Sequence, residues 1–333
     1  MAEQNLISVI LPVYNAGKFL SASIESILNQ THRNFELIIL NDGSTDESEQ
    51  IVKSFNDPRI RYFEHPNMGL ANTLNKGIAL SAGEFIARQD NDDISYPDRL
   101  KLQLDFLKNN PQFAIVGSHA RIVNENGIDT GRKHTHPLKS CHLKFDLVFD
   151  NPFVHSSVMF RKQLIQDTGN YISDSNFFED HNLWSRVSRN FKVANIPEIL
   201  LDYREVSTGM SKSAKTYSDK VIFQTIENLN YYLPNDSEVN LKCANIYHEG
   251  FDNNSDKEVL SEQAKKLISI IFENESESEK INALKRFILK VEINNLRNNY
   301  KNLGHSGFQK LKMKFKRRSL FSRYNKLIST HQF

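Results

Sequence analysis

The chain has 333 residues, 39% of them hydrophobic and 25% charged, ordinary globular proportions for a length that buries a core without staples. Its net charge of +2 hides an asymmetry: residues 293–333 carry ten Lys and Arg and no Asp or Glu, which leaves the first 292 residues at −8. No apolar run approaches the roughly 18 residues of a membrane span. Met1–Asn5, with Glu3 and no basic stretch, does not read as a secretory signal, so a cytoplasmic protein is expected.

In chain order, Ser8–Val13 is a short apolar run rich in β-branched residues that stops at Tyr14-Asn15-Ala16-Gly17, a strand running into a turn. Phe19, Leu20, Ile24, Ile27 and Leu28 recur at helical spacing. A strand at Glu36–Leu40, a turn at Asn41-Asp42-Gly43, a helix from about Asp46 to Phe55 and a strand at Arg59–Glu64 follow. A helix through Leu70, Leu74 and Ile78 leads to a strand at Glu84–Arg88 that runs into Gln89-Asp90-Asn91-Asp92-Asp93. Strand–helix alternation with short links predicts a parallel sheet covered on both faces. Ligands of such sheets sit at the carboxyl ends of the strands, where Tyr14-Asn15, Asp42–Asp46 and Asp90–Asp93 should meet.

Beyond Gly127 a loop bearing His134, His136 and His142 is expected, then Asn151–Arg161 as loop and strand. A helix from Asp180 carries Leu183, Trp184 and Val187, and short strands are expected near Val193 and at Ile199–Tyr203. From about Ser211 the pattern is all-helical, which predicts one domain over 1–210 and a helical region over 211–333. Cys141 and Cys243 stand far apart, with neither disulfide nor zinc spacing, which fits a reducing compartment.

Three carboxylates within Asp90-Asn91-Asp92-Asp93 repel one another unless a cation sits among them. Hard oxygen ligands in an incomplete set suit Mg²⁺ or Mn²⁺, with phosphate oxygens completing the shell. The plain alternative is a solvated acidic turn capping the helix near Pro97. Asp42 could accept a hydrogen bond from a bound base, or Asp42-Gly43 could simply turn while Ser44 or Thr45 caps the next helix. Asp180 has the placement of a general base at the mouth of an inward-facing stripe, or of a helix cap. A lone loop histidine such as His155 more often orders its own loop. Neither a G-x-G-x-x-G after the first strand nor a P-loop is present, which sets aside dinucleotide dehydrogenases and P-loop NTPases.

Taken together, "SVILPVYNAGKFL", "ELIILNDGSTDES", "NMGLANTLNKGIALSAGEFIARQDNDDISYPDRL", "NPFVHSSVMFRK" and "FFEDHNLWSRV" resemble the family 2 glycosyltransferases, inverting enzymes of the Rossmann-like GT-A fold. The resemblance spans roughly residues 6–204. It implies a mostly parallel α/β sheet, a nucleotide-sugar donor (usually a UDP-sugar) and a divalent metal. By position, Pro12, Tyr14 and Asn15 match the base-contacting segment and Asp42 the carboxylate that reads uracil. Asp90 and Asp92 match the D-x-D pair, the first near the ribose and the second on the metal, and Asp180 matches the catalytic base. Two positions depart from the family: Tyr203-Arg204-Glu205-Val206 lacks the His of Y-R-x-H, and Leu74 precedes Asn75 where many members have Arg.

These features predict an enzyme moving a sugar to a saccharide acceptor, plausibly lipid-linked, in surface-polysaccharide synthesis. A non-catalytic nucleotide-sugar or carbohydrate binding protein and a metal-dependent nucleotidyltransferase are the alternatives. The basic residues from Lys310 to Lys326, interleaved with Leu311, Met313, Phe315, Leu320, Phe321 and Tyr324, fit an anionic membrane surface better than nucleic acid, for which no module is present.

Overall fold

The computed structural model describes residues 5–173, 178–206, 214–251, 253–302 and 307–329, and it divides into two compact units. The first comprises residues 1–136, 151–175 and 179–212; the second comprises 137–150, 176–178 and 213–333.

The first unit opens with β1 (Ile7–Val13), α1 (Gly17–Leu28), β2 (Phe35–Asn41), α2 (Ser48–Ser54), β3 (Ile60–Glu64), α3 (Leu70–Leu80) and β4 (Phe85–Arg88). The four strands lie side by side in the order β3-β2-β1-β4, all parallel. Alternate residues of β1 and β2 (Ile7, Val9, Leu11 and Val13; Phe35, Leu37 and Ile39) join Leu20, Ile24 and Ile27 of α1 and Val52 of α2 in one core. The opposite face receives α3, and Gly77 permits the approach: a Cβ there would fall 2.7 Å from Ile10 Cγ2 and 3.1 Å from Leu40 Cδ1. With both faces covered, β1 and β2 are buried at every position, which is why they read as continuous apolar runs.

The unit continues with β5 (Ile94–Ser95), α4 (Arg99–Asn109), β6 (Phe113–Asn124) and β7 (Asp129–His134). The chain leaves through α5 (Ser140–Phe149) of the second unit, then returns for β8 (Met159–Arg161), α6 (Lys162–Thr168), α7 (Glu179–Asn190) and β9 (Lys192–Glu205). β8 runs antiparallel to both β4 and β6, β9 lies parallel to β6, and β5 closes the far edge. The β6–β7 hairpin is not announced by alternation, because β7 is mostly exposed and polar. The two short strands expected near Val193 and Ile199 are one strand of 14 residues. Its register against β6 shifts between the Ser118–Ile196 and His119–Ile199 pairs, where Pro197, with no N–H to give, falls in the irregularity.

The histidines expected on one loop separate. His134 ends β7, and His142 is buried on α5. Ser140–Phe149 is buried on almost every side, His142 and Asp146 included, and so shows no helical stripe in the sequence.

In the second unit α5 lies with α8 (Ala214–Tyr232), α9 (Ser237–Glu249), α10 (Asn254–Ile271), α11 (Glu277–Asn302) and α12 (Gly307–Ser329). Phe145, Val148 and Phe149 of α5 share a core with Leu229, Tyr247, Leu260, Leu267, Phe287 and Val291, and with both cysteines, which are free. Ion pairs tie α5 and its flanks to α11: Asp146 to Arg286 at 2.7 Å, Asp150 to Lys290 at 2.8 Å, and Lys139 to Glu279 at 2.6 Å, with Glu279 also accepting a hydrogen bond from His142 Nε2 at 2.9 Å. Burial, with Arg286 nearby, pushes the His142 imidazole down to about 4. α12 seats Leu320, Tyr324 and Leu327 on Leu289, Ile293 and Leu296 of α11. The side chains of Lys310, Leu311, Lys312 and Phe315 lie outside the described residues. Among the described residues no helix is long and apolar enough to cross a membrane.

Candidate active site

Because β1, β2 and β4 are parallel neighbours, their carboxyl ends open on one edge of the sheet. The loops after β1 and β2 are laced together there. Asn15 adopts φ 49, a left-handed conformation that asparagine tolerates. Its Oδ1 accepts from the Thr45 amide at 2.8 Å and its own amide donates to Ser44 Oγ at 3.0 Å. The Ala16 amide donates to Ser48 Oγ at 3.0 Å and the Gly17 amide to Asp46 Oδ2 at 2.9 Å. Ser44 and Thr45 therefore serve this lacing and do not cap α2, whose first turn is held by Asp46 accepting from the Ser48 amide. The Tyr14 ring is left 54% exposed, free to stack. The Pro12 carbonyl accepts from Asn91 Nδ2 at 3.3 Å.

Asp42 is buried at the end of β2, and its oxygens already have work: Oδ1 accepts from the Met68 amide at 2.7 Å and Oδ2 from the Gly69 amide at 3.1 Å, with His65 Nδ1 at 3.3 Å. Oδ2, with the Gly69 amide as its one partner among the described residues, keeps a second lone pair for a ligand. Asn75 is likewise engaged, gripping the main chain of Tyr171 through Nδ2 at 2.8 Å and Oδ1 at 3.0 Å.

The acidic segment after β4 is not a solvated turn. Asp93 is 1% exposed, and Asp98, at the start of α4, makes no side-chain cap bond. Asp90 is half-buried between Arg88 Nη2, 2.6 Å from its Oδ1, and the Ser156 hydroxyl on Oδ2. Ser156 Oγ also lies 2.5 Å from Asp93 Oδ2. One hydroxyl proton cannot serve two carboxylates. Burial and the charges of Asp92 and Asp90 push Asp93 well above the usual range, while Arg88 holds Asp90 below it, so of the two Asp93 is the one that favours protonation. Asp92, by contrast, is pushed up to about 6 by burial and by Asp90. Arg204 braces this turn: its amide donates to Asp93 Oδ1 at 2.8 Å, its Nε to the Asp92 carbonyl at 2.8 Å, and its guanidinium lies 4.8 Å over the Phe19 ring.

Asp180 sits in the first turn of α7, whose Leu183, Trp184 and Val187 are fully buried. Its Oδ2 accepts from Asn151 Nδ2 at 2.7 Å and its Oδ1 from the His181 amide at 2.6 Å. His155 Nδ1 lies 4.0 Å from both Asp180 and Glu179, while its Nε2 meets the Tyr171 hydroxyl at 3.1 Å. Burial and Glu179 raise Asp180 to about 7, and burial with Arg88 lowers His155 to about 3, so the imidazole is neutral. His155 lies beside Asp180 while the adjacent Ser156 donates to Asp90, so the D-x-D turn and this carboxylate occupy one neighbourhood.

Sequence reading did not assign roles to Arg88, Asn151 and Ser156. A charged residue inside a four-residue buried strand was the available signal for Arg88; neutral Asn and Ser in a loop carry none.

The residues fit a divalent ion held through Asp92. No hydrogen bond from another described side chain reaches its carboxylate, and the neighbouring negative charge that raises it would be relieved by a cation. Asp90, with Arg88 and Ser156 on its oxygens, has less to offer. Among the described residues no third His, Cys, Asp or Glu completes a cluster, so further ligands would come from phosphate and water.

The sequence profile described as "Glycosyl transferase family 2" matches residues 8–169. A glycosyltransferase of Haemophilus influenzae is 33% identical over 278 residues, covering 77% of this chain and 85% of that protein. The O-antigen biosynthesis glycosyltransferase WbnJ of Escherichia coli is 35% identical over 219 residues, covering 64% of this chain and 85% of its own. Among solved structures, S. aureus TarS in complex with UDP-GlcNAc matches at a TM-score of 0.55 and 17% identity, over 97% of this chain and 90% of that one. That likeness is one of fold, the GT-A sheet followed by helices. Sheet, edge and relatives converge: the chain belongs to glycosyl transferase family 2.

Proposed function

We propose that the protein is an inverting glycosyltransferase that moves a sugar from a UDP-sugar to a hydroxyl of a saccharide acceptor, lipid-linked, in surface-polysaccharide synthesis. The observation that carries the proposal is the shared neighbourhood of Asp180, raised to about 7, and the Asp90–Asp92 turn at the carboxyl edge of the sheet. The name of the relative WbnJ supports the polysaccharide setting. In this reading Tyr14 stacks on the base, while Pro12, Asn15 and Asp42 frame it. Asp90 approaches the ribose and Asp92 holds Mn²⁺ or Mg²⁺. Asp180 takes the proton from the acceptor hydroxyl as that oxygen attacks the anomeric carbon from the side opposite the diphosphate. A carboxylate with a pKa near neutrality matches that task, and a single displacement inverts the centre. When bound, the ion neutralises charge on the departing diphosphate.

The test is a screen of UDP-glucose, UDP-galactose, UDP-N-acetylglucosamine and GDP-mannose with Mn²⁺ or Mg²⁺, reading nucleotide release and binding. Nucleotide release from one donor is expected; binding without release from any donor or added glycan would favour a non-catalytic binding protein.

For the base pocket, Asp42→Ala is expected to weaken UDP binding by about 1–3 kcal/mol, the scale of a hydrogen bond to a charged group. Calorimetry checks it, and equal affinity in a folded variant removes Asp42 from the pocket.

We extend the proposal to an anionic membrane surface as the partner of α12, with the protein peripheral on the inner face of the cell membrane. Leu320 and Tyr324 are packed on α11. What stays exposed is basic: Lys314, Lys316, Arg317, Arg318, Arg323 and Lys326, with Phe321 at 50% exposure. Binding is therefore electrostatic, at about 1 kcal/mol per basic residue near the surface and falling with salt. Co-sedimentation with phosphatidylglycerol vesicles is expected at low salt and lost at high salt. Replacing Lys314, Arg317 and Arg318 with Gln is expected to weaken it by tenfold or more. Protein remaining in solution with these vesicles at low salt overturns the membrane assignment.

A further inference from the structure

Asp180 is gripped at both oxygens, Oδ1 by the main-chain amide of His181 and Oδ2 by the side-chain amide of Asn151. The first grip comes with the helix. The second comes from a loop more than twenty residues away, and it is built with care for direction. Asn151 Oδ1 accepts from the Phe153 amide at 3.1 Å, which turns the N–H₂ end toward Asp180. A flipped amide would set oxygen against oxygen.

We propose that Asn151 is a positioning residue for the reaction: it fixes the plane of the Asp180 carboxylate and favours its ionised form over the protonated one. The proposal rests on the reading of Asp180 as the base. The surroundings show why a neutral donor is needed there. Glu179 on the same helix and Asp90 beyond β4 both oppose charge on Asp180, Tyr171 and His155 face it uncharged, and Arg88 is already paired to Asp90. Removing the Asn151 donor leaves, among the described residues, one main-chain amide hydrogen-bonded to the anion. A hydrogen bond to the charged form lowers a carboxyl pKa, so its loss raises it.

Asn151→Asp is the informative substitution. It retains the acceptor for the Phe153 amide, and with it the turn, but presents an oxygen to Asp180 where the N–H₂ stood. Asn151→Ala removes both. The readouts are UDP release from the UDP-sugar that turns over fastest in the donor screen, as a function of pH, and the carboxyl ¹³C titration of Asp180, assigned by its absence in Asp180→Asn. Asn151→Asp is expected to lose about tenfold to a hundredfold in turnover, the scale of a misplaced catalytic group, with the KM for donor unchanged. The acidic limb of the pH profile and the Asp180 titration should both move up by about one pH unit. In the Asp180→Asn background the substitution should cost nothing further. A folded Asn151→Asp protein with parental turnover, pH limb and Asp180 titration overturns the proposal and reduces Asn151 to a turn residue, while Asp180→Asn stays inactive. Parental turnover in Asp180→Asn itself overturns the base reading and this proposal with it. The titration needs no substrate, so a chain that turns over none of the donors is still decided by the Asp180 midpoint.

Discussion

Asp180→Asn is expected to lower turnover by about 10²–10⁴-fold, the usual contribution of a positioned general base, while UDP affinity stays near parental. The amide keeps one acceptor for the bond from Asn151 Nδ2 but cannot take the acceptor's proton. The parent's turnover should fall tenfold per pH unit below about 7, where burial and Glu179 hold the carboxyl protonated, and the variant's residual rate should show no such limb. Stability runs the other way. A carboxyl whose folded pKa is raised binds its proton more tightly in the native state than in the unfolded chain. The contribution of Asp180 is therefore present at low pH and is lost as pH rises from about 4 to about 7. Above pH 7 the variant should melt at or above the parental temperature. Near-parental turnover in a folded Asp180→Asn protein would return Asp180 to a structural role at the start of α7.

Asp92→Ala should abolish transfer and Mn²⁺ binding together. Titration followed by electron paramagnetic resonance and by thermal melting reads both. In the parent, an ion that binds only the native state raises the melting temperature by mass action, about 2.7 kcal/mol at a hundred times the dissociation constant. The variant should show no such rise, and without metal it should fold at least as well, since the substitution removes a half-buried carboxylate held up to about 6 by burial and Asp90. Chelation should silence the parent reversibly. Full turnover in excess chelator would falsify the metal assignment.

What the sequence disclosed follows physical lines. β1, β2 and β4 were legible because a strand covered on both faces is an unbroken apolar run, and the turns that end them need Asn, Asp and Gly for backbone reasons. β9 reads as two strands because Pro197 interrupts its pattern, although β6 carries the pairing across the irregularity. β7 and α5 show no period for opposite reasons, one mostly exposed and polar and the other buried on almost every side. Within the site, Asp42, Asp90, Asp92 and Asp180 drew notice because charge at a strand or helix end demands an explanation. Asn151 and Ser156 draw none until distance is known, since their effect lies in where one N–H or O–H points.

The membership of α5 in the second unit bears on how the chain is made. Synthesis delivers Phe145, Val148 and Phe149 before any of α8 to α11, the helices they pack against, and residues 151–213 must be added in between. At a few to twenty residues per second that is an interval of several seconds. During it Asp146 of α5 and Asp150 just past its end have neither Arg286 nor Lys290 to meet. The nascent chain is thus most exposed to aggregation in the middle of its translation, and a fragment ending near residue 210 would keep that vulnerability permanently.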